Sequence, residues 1–325
     1  MKKKSLLIIG LLVAMSLVSV ANAQLPIVEP EEVGFASERL SRIQDHFATR
    51  VDNGEIAGIV TLVARHGRIA HFSALGYANA EQELPMERDT IFRIYSMTKP
   101  LVSVALMMLF EEGQFQLTSP ASEFIPEFRN VRVFLEQDPR TREMVTEKLK
   151  RAVTLYDLLT HTAGLTYEFM AHHHPAALLY KEANFERDSL SLEELVREIL
   201  RLPLAYHPGI RWHYSVATDV LARVVEVVSG MSIDWFLRER IMEPQVMKDT
   251  GYYVPEAELG RLSELYCIAN WFDCKVVPED LETLWREGAV ATRLESGETR
   301  RCINPHQAFR GGHALVSTAG DYLNF

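Results

Sequence analysis

The segment from Leu101 to Phe110 limits the folds open to this chain more than any other feature of the sequence. Ser103 is the only polar residue in this run of ten, which ends at Glu111-Glu112-Gly113. A run this long exceeds an ordinary buried strand and fits a helix that is buried on most of its sides. We therefore predict a central helix around which the remaining elements must pack.

Upstream of this helix, the sequence predicts one helix and one β-hairpin. Apolar residues recur at helical spacing from Ala36 to Val51, and Asn53-Gly54 marks the end of that helix. Two apolar runs follow, Ile56–Ala64 and Arg68–Ala74, separated by the glycine-containing turn Arg65-His66-Gly67. This arrangement is typical of two antiparallel strands joined by a tight turn.

Downstream, the periodicity is mostly helical and no linker is long enough to divide the chain. Ser191 is a predicted N-cap and Gly230 a predicted helix end. The predicted helices are Val153–Leu159, Leu192–Leu200, Val216–Val228 and Ile233–Ile241. The predicted fold class is α+β in one domain, residues 24–325.

The sheet of this fold is expected to need more strands than the sequence supplies. Gly311 to Tyr322 is predicted to form a turn into a helix that ends at Phe325. A lone hairpin makes a poor sheet, and three or more strands are normally needed for independent stability. We therefore expect the C-terminal strands of the sheet to be missing and the domain to be incomplete at its C-terminal end.

The first 23 residues have the pattern of an export signal. Lys2, Lys3 and Lys4 form a basic head, Ser5–Val20 is almost wholly apolar, and Ala21-Asn22-Ala23 offers small residues for cleavage. An uncleaved membrane anchor is the alternative, but the apolar stretch is shorter than the roughly 20 residues of a spanning helix. We expect cleavage after Ala23, a periplasmic or secreted protein, and no membrane partner after cleavage.

The charge and the cysteines exclude several kinds of partner. The formal net charge is −10, which disfavours binding to nucleic acid. The three cysteines, Cys267, Cys274 and Cys302, include no C-x-x-C motif, and Cys267 and Cys274 could close a small loop. His172-His173-His174 suggests a metal, but adjacent histidines point in different directions, so a loop is preferred. No metal or organic cofactor is expected.

The residues best suited to nucleophilic chemistry stand at the entrance of the predicted central helix. Ser96-Met97-Thr98-Lys99 is the only S-x-x-K in the chain. If the helix begins at Ser96, positions i and i+3 share one face, so the ammonium of Lys99 can reach the hydroxyl. A serine hydroxyl is a poor nucleophile until a base takes its proton, which a lysine can do. The chain contains no G-x-S-x-G nucleophile elbow.

Four segments resemble the serine β-lactamase and penicillin-recognising hydrolase superfamily, in particular its class C β-lactamase-related esterase branch. The resemblance runs from about Ile56 to the end of the chain. The four segments, in chain order, are Arg88–Lys99, Leu158–Leu165 (L-L-x-H-T-A-G-L), Pro208–Ser215 (P-G-x-x-x-x-Y-S) and Gly311–Tyr322 (G-G-x-x-L-x-S-T-A-x-D-Y). The resemblance implies a β-lactamase/DD-peptidase-like fold, with an antiparallel sheet flanked by helices beside a mainly helical subdomain.

The same resemblance implies the roles of three residues. Ser96 is expected to be the nucleophile, Lys99 its base or proton partner, and Tyr214 the second acid/base that relays a proton to the leaving group. The implied reaction forms an acyl-enzyme on a small-molecule ester or amide. Trp212 and Tyr95 are candidates for lining an acyl pocket, and His161 is expected to be structural.

The chain departs from the β-lactamase pattern in two places. Val216 follows Tyr214-Ser215 where β-lactamases and peptidases carry an asparagine that holds the substrate amide. The late-strand motif K-T-G, or its relatives H-x-G and W-x-G, is absent, and that strand normally supplies one oxyanion-hole donor. Val216 therefore favours carboxylic ester hydrolysis over a β-lactamase or D-amino-acid peptidase. A non-catalytic binding protein of the same fold is the third alternative.

Overall fold

The computed structural model describes residues 25–325 apart from positions 139, 142, 173, 184, 186–189, 268–289, 294–301 and 304–308. The predicted signal peptide, His173 and the predicted pairing through Cys274 lie outside the described residues and stay predictions. Within the described residues, no helix combines the length and the apolar character needed to cross a lipid bilayer.

The N-terminal part of the chain forms a helix and a hairpin, as the sequence predicts. Helix α1 (Ser37–Asp52) contacts the antiparallel strands β1 (Gly58–Arg65) and β2 (Arg68–Asn79). The two-residue turn His66-Gly67 has φ angles of 53° and 69°, so both residues are left-handed, as tight hairpin turns require. Strand β3 (Leu84–Pro85) pairs with β2 as the third strand of this sheet.

Helix α2 (Thr98–Glu111) is the predicted central helix. Its residues Leu101, Val102, Ala105 and Leu106 are completely buried, and Val104 and Met107 lie on its solvent-facing side. The helix begins later than predicted, because a 3₁₀ turn, Tyr95–Met97, precedes it. Ser96 therefore lies in this turn and not at the first position of the α-helix.

The later helices confirm the four predicted ones to within a few residues and include a fifth, Ala176–Ala183, that the sequence does not predict. Gly230, in the left-handed conformation with φ 73°, ends the helix that packs most extensively on α2. The helix that follows it changes at Arg238 into a π-helical turn, Arg238–Met242. In chain order the helices are α3 (Leu155–Leu159), α4 (Ala176–Ala183), α5 (Leu192–Ile199), α6 (Ala217–Ser229) and α7 (Ile233–Leu237).

Several short strands that the sequence does not predict contribute to the α+β fold. These are β4 (Phe92–Arg93), β5 (Arg132–Gln137), β6 (Met144–Lys148), β7 (Tyr266–Cys267), β8 (Thr292–Arg293) and β9 (Val316–Ser317), paired antiparallel as β4–β9, β5–β6 and β7–β8. Two-residue strands are too short for a detectable alternation. In β5, Val133, Phe134 and Leu135 are consecutive apolar residues and the register shifts between Phe134 and Glu136, so the strand shows no regular alternation.

The last segment of the chain differs from the predicted turn and helix in one respect. Strand β9 comes between the glycines and helix α8 (Ala319–Asn324), and it pairs with β4 immediately before the 3₁₀ turn of Ser96. Thr318 caps α8 by accepting a hydrogen bond from the Asp321 amide at 3.1 Å. The terminal segment is thereby fixed to the start of α2.

A buried carboxylate organises the start of α3. Asp157 is 2% exposed, and its two oxygens accept hydrogen bonds from Arg151 at 2.6 and 2.7 Å. The same carboxylate accepts from the Thr154 backbone amide at 2.9 Å, closing a capping box. Burial raises the pKa of Asp157, but hydrogen bonds from Arg151 and Thr154 lower it by a larger amount. The net result is a pKa below the usual value.

Asp157→Asn is expected to lower the free energy of unfolding by about 1–3 kcal/mol, because an amide cannot replace the charge that Arg151 binds. The folded-state pKa of Asp157 lies below its unfolded value, so its contribution is complete above pH ~4 and is lost as pH falls through the folded pKa. Urea denaturation at several pH values measures both effects. A difference in the free energy of unfolding between the two proteins that is the same at pH 7 and in strong acid would contradict this account.

Candidate active site

A strained turn presents Ser96 to solvent. The turn Tyr95–Met97 joins β4 to α2, and Tyr95 has a φ of 42°, which is unfavourable for a residue with a side chain. The Met97 amide donates to the Ile94 carbonyl at 2.9 Å and closes the turn. Ser96 itself is exposed, so its hydroxyl can meet a molecule that arrives from solvent.

Lys99 lies beneath Ser96 and is almost fully buried. Its Nζ donates to Ser96 Oγ at 3.2 Å and to the Gly312 carbonyl at 2.7 Å. Two aromatic rings face the same ammonium group, with their centroids 4.7 Å (Tyr214) and 5.4 Å (Tyr167) from Nζ. A buried ammonium needs such partners, since an uncompensated charge is costly in a protein interior.

Tyr214 reaches Ser96 from the segment that precedes α6. Its hydroxyl donates to Ser96 Oγ at 2.8 Å, across 118 residues of sequence. The structure thus brings Ser96, Lys99 and Tyr214, the three residues predicted from the sequence, into one hydrogen-bonded cluster. Ser96 Oγ is its centre, because both of the other side chains contact that atom.

The terminal segment holds this cluster in place at three further points. The Ile94 amide donates to the Leu315 carbonyl at 3.0 Å, and the Leu315 amide donates to Thr98 Oγ1 at 3.1 Å. The Tyr322 hydroxyl donates to the Met97 carbonyl at 3.0 Å. Residues on both sides of Ser96 are therefore tied to the segment that also supplies the carbonyl bound by Lys99.

His161 lies against the ring of Tyr214. The two ring centroids are 4.9 Å apart, and His161 Nδ1 lies 3.3 Å from Ser215 Oγ. Burial, followed by the positive charge of Lys99, lowers the pKa of His161 to about 4. The imidazole is therefore neutral near neutral pH.

The other sequence candidates lie at the edge of the cluster or away from it. Trp212 is 62% exposed and stacks on Tyr214 with centroids 6.2 Å apart, and Tyr95 is half-buried in the strained turn. His174 is buried, and its Nδ1 accepts from the Ala176 amide at 3.1 Å. No group of three or more histidine, cysteine, aspartate or glutamate side chains among the described residues could hold a metal ion.

Sequence reasoning missed three contributors: the Gly312 carbonyl, Tyr167 and Asp219. In the sequence, the Gly311-Gly312 pair belongs to a family motif, and two adjacent glycines do signal a close backbone approach. Tyr167 provides a ring face to Lys99, and Asp219 accepts from the Gly312 amide at 3.1 Å. Neither residue stands near Ser96 in the sequence.

This arrangement can activate a serine hydroxyl. Ser96 Oγ is accessible, and two groups that can carry a proton lie within hydrogen-bond distance of it. A hydroxyl placed in this way can lose its proton as it attacks a carbonyl carbon, and the neighbours can return the proton to a leaving group.

Comparison with known proteins gives consistent matches over most of the chain. The profile of the family described as Beta-lactamase matches residues 43–325. Protein Rv1367c of Mycobacterium tuberculosis is 31% identical over 275 residues, and Esterase EstB of Burkholderia gladioli is 33% identical over 228 residues. The solved structure of EstCE1, described as a hydrolase with promiscuous acyltransferase activity, matches with a TM-score of 0.68 at 27% identity.

The matches cover more of this chain than of its relatives. The aligned parts make up 84% of this chain and 62% of Rv1367c, and 69% of this chain and 54% of EstB. The match to EstCE1 covers 88% of this chain and 70% of that protein.

Lys99→Met is expected to raise the pKa of His161 above about 4, because it removes the neighbouring positive charge. The pKa should stay below the ordinary 6.5, since burial makes the larger contribution and remains. Imidazole ¹⁵N chemical shifts recorded across a pH series measure it. Lys181→Met, an exposed change in α4, is the matched control. An unchanged pKa of His161 in the Lys99 variant would show that the ammonium does not lie where the structure places it.

Proposed function

The chain belongs to the beta-lactamase family, and from that premise we propose that it is a serine hydrolase that cleaves carboxylic esters through an acyl-enzyme at Ser96. The observation that carries the proposal is the hydrogen-bonded cluster around an exposed hydroxyl, with Lys99 Nζ at 3.2 Å and the Tyr214 hydroxyl at 2.8 Å from Ser96 Oγ. A cluster of this kind has the parts that nucleophilic acyl transfer needs.

In the first half of the proposed reaction, Ser96 Oγ attacks the ester carbonyl carbon. Before the attack, the Lys99–Tyr214 pair carries one proton fewer than an ammonium plus a phenol, so it can accept the Ser96 proton. The new bond between Oγ and the acyl carbon then forms as the ester C–O bond breaks. Tyr214, which lies nearer to Oγ, returns the proton to the departing alcohol oxygen. Hydroxyl groups can exchange donor and acceptor roles by rotation, so the Tyr214–Ser96 hydrogen bond can serve in either direction.

In the second half, water attacks the acyl carbon and gives up a proton to the same pair. The carboxylic acid leaves, and Ser96 Oγ recovers its proton. Lys99 keeps its hydrogen bond to the Gly312 carbonyl at one side of the ammonium, so the group that faces Ser96 does not need to reorganise during the cycle.

An ester substrate is favoured over a β-lactam or a peptide. EstB is named an esterase, and this name supports ester hydrolysis here. Val216 is 5% exposed and packs in the hydrophobic core beside α6, so it offers no polar group to a substrate amide. We therefore expect no significant turnover of a chromogenic cephalosporin.

Ser96→Ala is expected to reduce hydrolysis of p-nitrophenyl butyrate by about 10⁴-fold or more, because the acyl-enzyme cannot form. Since Ser96 is exposed, the melting temperature should change by less than about 2 °C. Ser103→Ala, in α2 and away from the cluster, is the control that should retain activity. Equal activity in the Ser96 variant would remove this serine as the nucleophile. If the unaltered protein binds small-molecule esters but hydrolyses none of them, the alternative of a non-catalytic binding protein of the same fold would be favoured.

Tyr214→Phe is expected to lower kcat by about 10²- to 10⁴-fold, since it removes the hydroxyl that carries the proton and keeps the ring. The ring contacts with His161 and Trp212 survive this change, so stability should be nearly unaltered. Steady-state kinetics on p-nitrophenyl butyrate provide the comparison, with Tyr156→Phe in α3 as the control at an exposed tyrosine. A fully active Tyr214 variant would assign the proton transfer to Lys99 alone.

A further inference from the structure

Asp219 is a buried carboxylate in the first turn of α6. It is 1% exposed, and the amide of Gly312 donates to its Oδ1 at 3.1 Å. Within the part of the chain that the structure describes, no arginine or lysine forms an ion pair with it. A carboxylate that is withdrawn from water and left without a cation is costly, although the N-terminal end of a helix offsets part of that cost.

The Gly312 residue connects Asp219 to Lys99. Its amide nitrogen donates to the carboxylate, and its carbonyl oxygen accepts from Lys99 Nζ at 2.7 Å. The residue is therefore held from both ends, by an anion on one side and by an ammonium on the other. The two groups belong to the adjacent peptide units on either side of Gly312 Cα, so a shift of Gly312 away from α6 moves the amide and the carbonyl together.

The approach of this backbone to α6 depends on the two glycines. A Cβ at Gly312 would lie 2.7 Å from Asp219 Oδ2 and 2.9 Å from the Tyr167 hydroxyl. A Cβ at Gly311 would lie 2.2 Å from the Thr218 carbonyl oxygen. Any side chain would thus push the segment off the helix, which explains why two glycines stand opposite Asp219.

We propose that Asp219 is a positioning residue that holds the Gly312 carbonyl toward Lys99 and thereby holds the Lys99 ammonium against Ser96. The effect of Asp219 on the acylation of Ser96 rests on the proposed function. The effect of Asp219 on the position of Lys99 does not. Among the described residues, Asp219 hydrogen-bonds to the Gly312 amide and not to Ser96, so it acts through the backbone and not on the substrate.

Asp219→Ala and Asp219→Asn separate this role from a general contribution to stability. The alanine variant should lower kcat on p-nitrophenyl butyrate by about 10- to 100-fold with little change in KM, because the base is displaced and the binding surface is not. The asparagine variant keeps an acceptor oxygen for the Gly312 amide, so its kcat should stay within about threefold of the unaltered protein. Glu226→Gln, a carboxylate change in the same helix, is the control and should leave kcat unchanged.

The pKa of His161 provides a readout that does not need activity. If Lys99 is released in Asp219→Ala, the positive charge moves away from His161 and its pKa rises above about 4. Loss of the Asp219 charge alone would act in the opposite direction, because removal of a nearby anion lowers the pKa of a histidine. A rise therefore reports displacement of Lys99.

These measurements distinguish failure of this inference from failure of the proposed function. An unchanged or lowered pKa of His161 in Asp219→Ala, with kcat unchanged and only the melting temperature reduced, would make Asp219 a structural residue and overturn the inference. An equal loss of kcat in the alanine and asparagine variants would also overturn it. If no ester is hydrolysed even by the unaltered protein, the proposed function fails, and the pKa of His161 still decides whether Asp219 positions Lys99.

Discussion

The hydrogen bond from Lys99 Nζ to the Gly312 carbonyl is the interaction on which the site depends. It joins residues 213 positions apart in the sequence and connects the central helix to the terminal segment. An ammonium group that is withdrawn from water must be compensated, and its partners here come from the turn before α2, from the tyrosine before α6 and from Gly312. The site therefore exists only when these three parts of the fold are assembled.

Burial and exposure are divided between neighbouring residues in a way that suits catalysis. Lys99 is buried under Ser96, whereas Ser96 itself is open to solvent. Aromatic rings exclude water around the ammonium, and electrostatic interactions are stronger where water is excluded. The strained turn at Tyr95 places the hydroxyl at this boundary, so Ser96 Oγ meets the solvent while Lys99, which hydrogen-bonds to it, lies in the protein.

The sequence predicted those features that leave a local signal. Helix α2 follows from a run of ten residues with a single polar one, and the hairpin β1–β2 follows from a glycine turn between two apolar runs. Ser96, Lys99 and Tyr214 each belong to a short local motif. The pairing of β4 with β9 had no such signal, because two residues are too few for periodicity. The Gly312 carbonyl could not be predicted either, since a backbone acceptor has no identity in a sequence and its partner lies far along the chain. In the sequence, Asp219 cannot be distinguished from an ordinary polar residue of an amphipathic helix. Its role is visible only in the fold, where Gly312 lies against it.

The most direct test of the central claim is to trap the covalent intermediate. The protein is mixed with p-nitrophenyl butyrate, quenched in acid within the first turnovers, digested, and analysed by mass spectrometry. The account predicts one butyryl group on the peptide that contains Ser96, and no such group on this peptide in Ser96→Ala. Rapid release of p-nitrophenol with the butyryl group on another residue, or with turnover that persists in Ser96→Ala, would contradict the account.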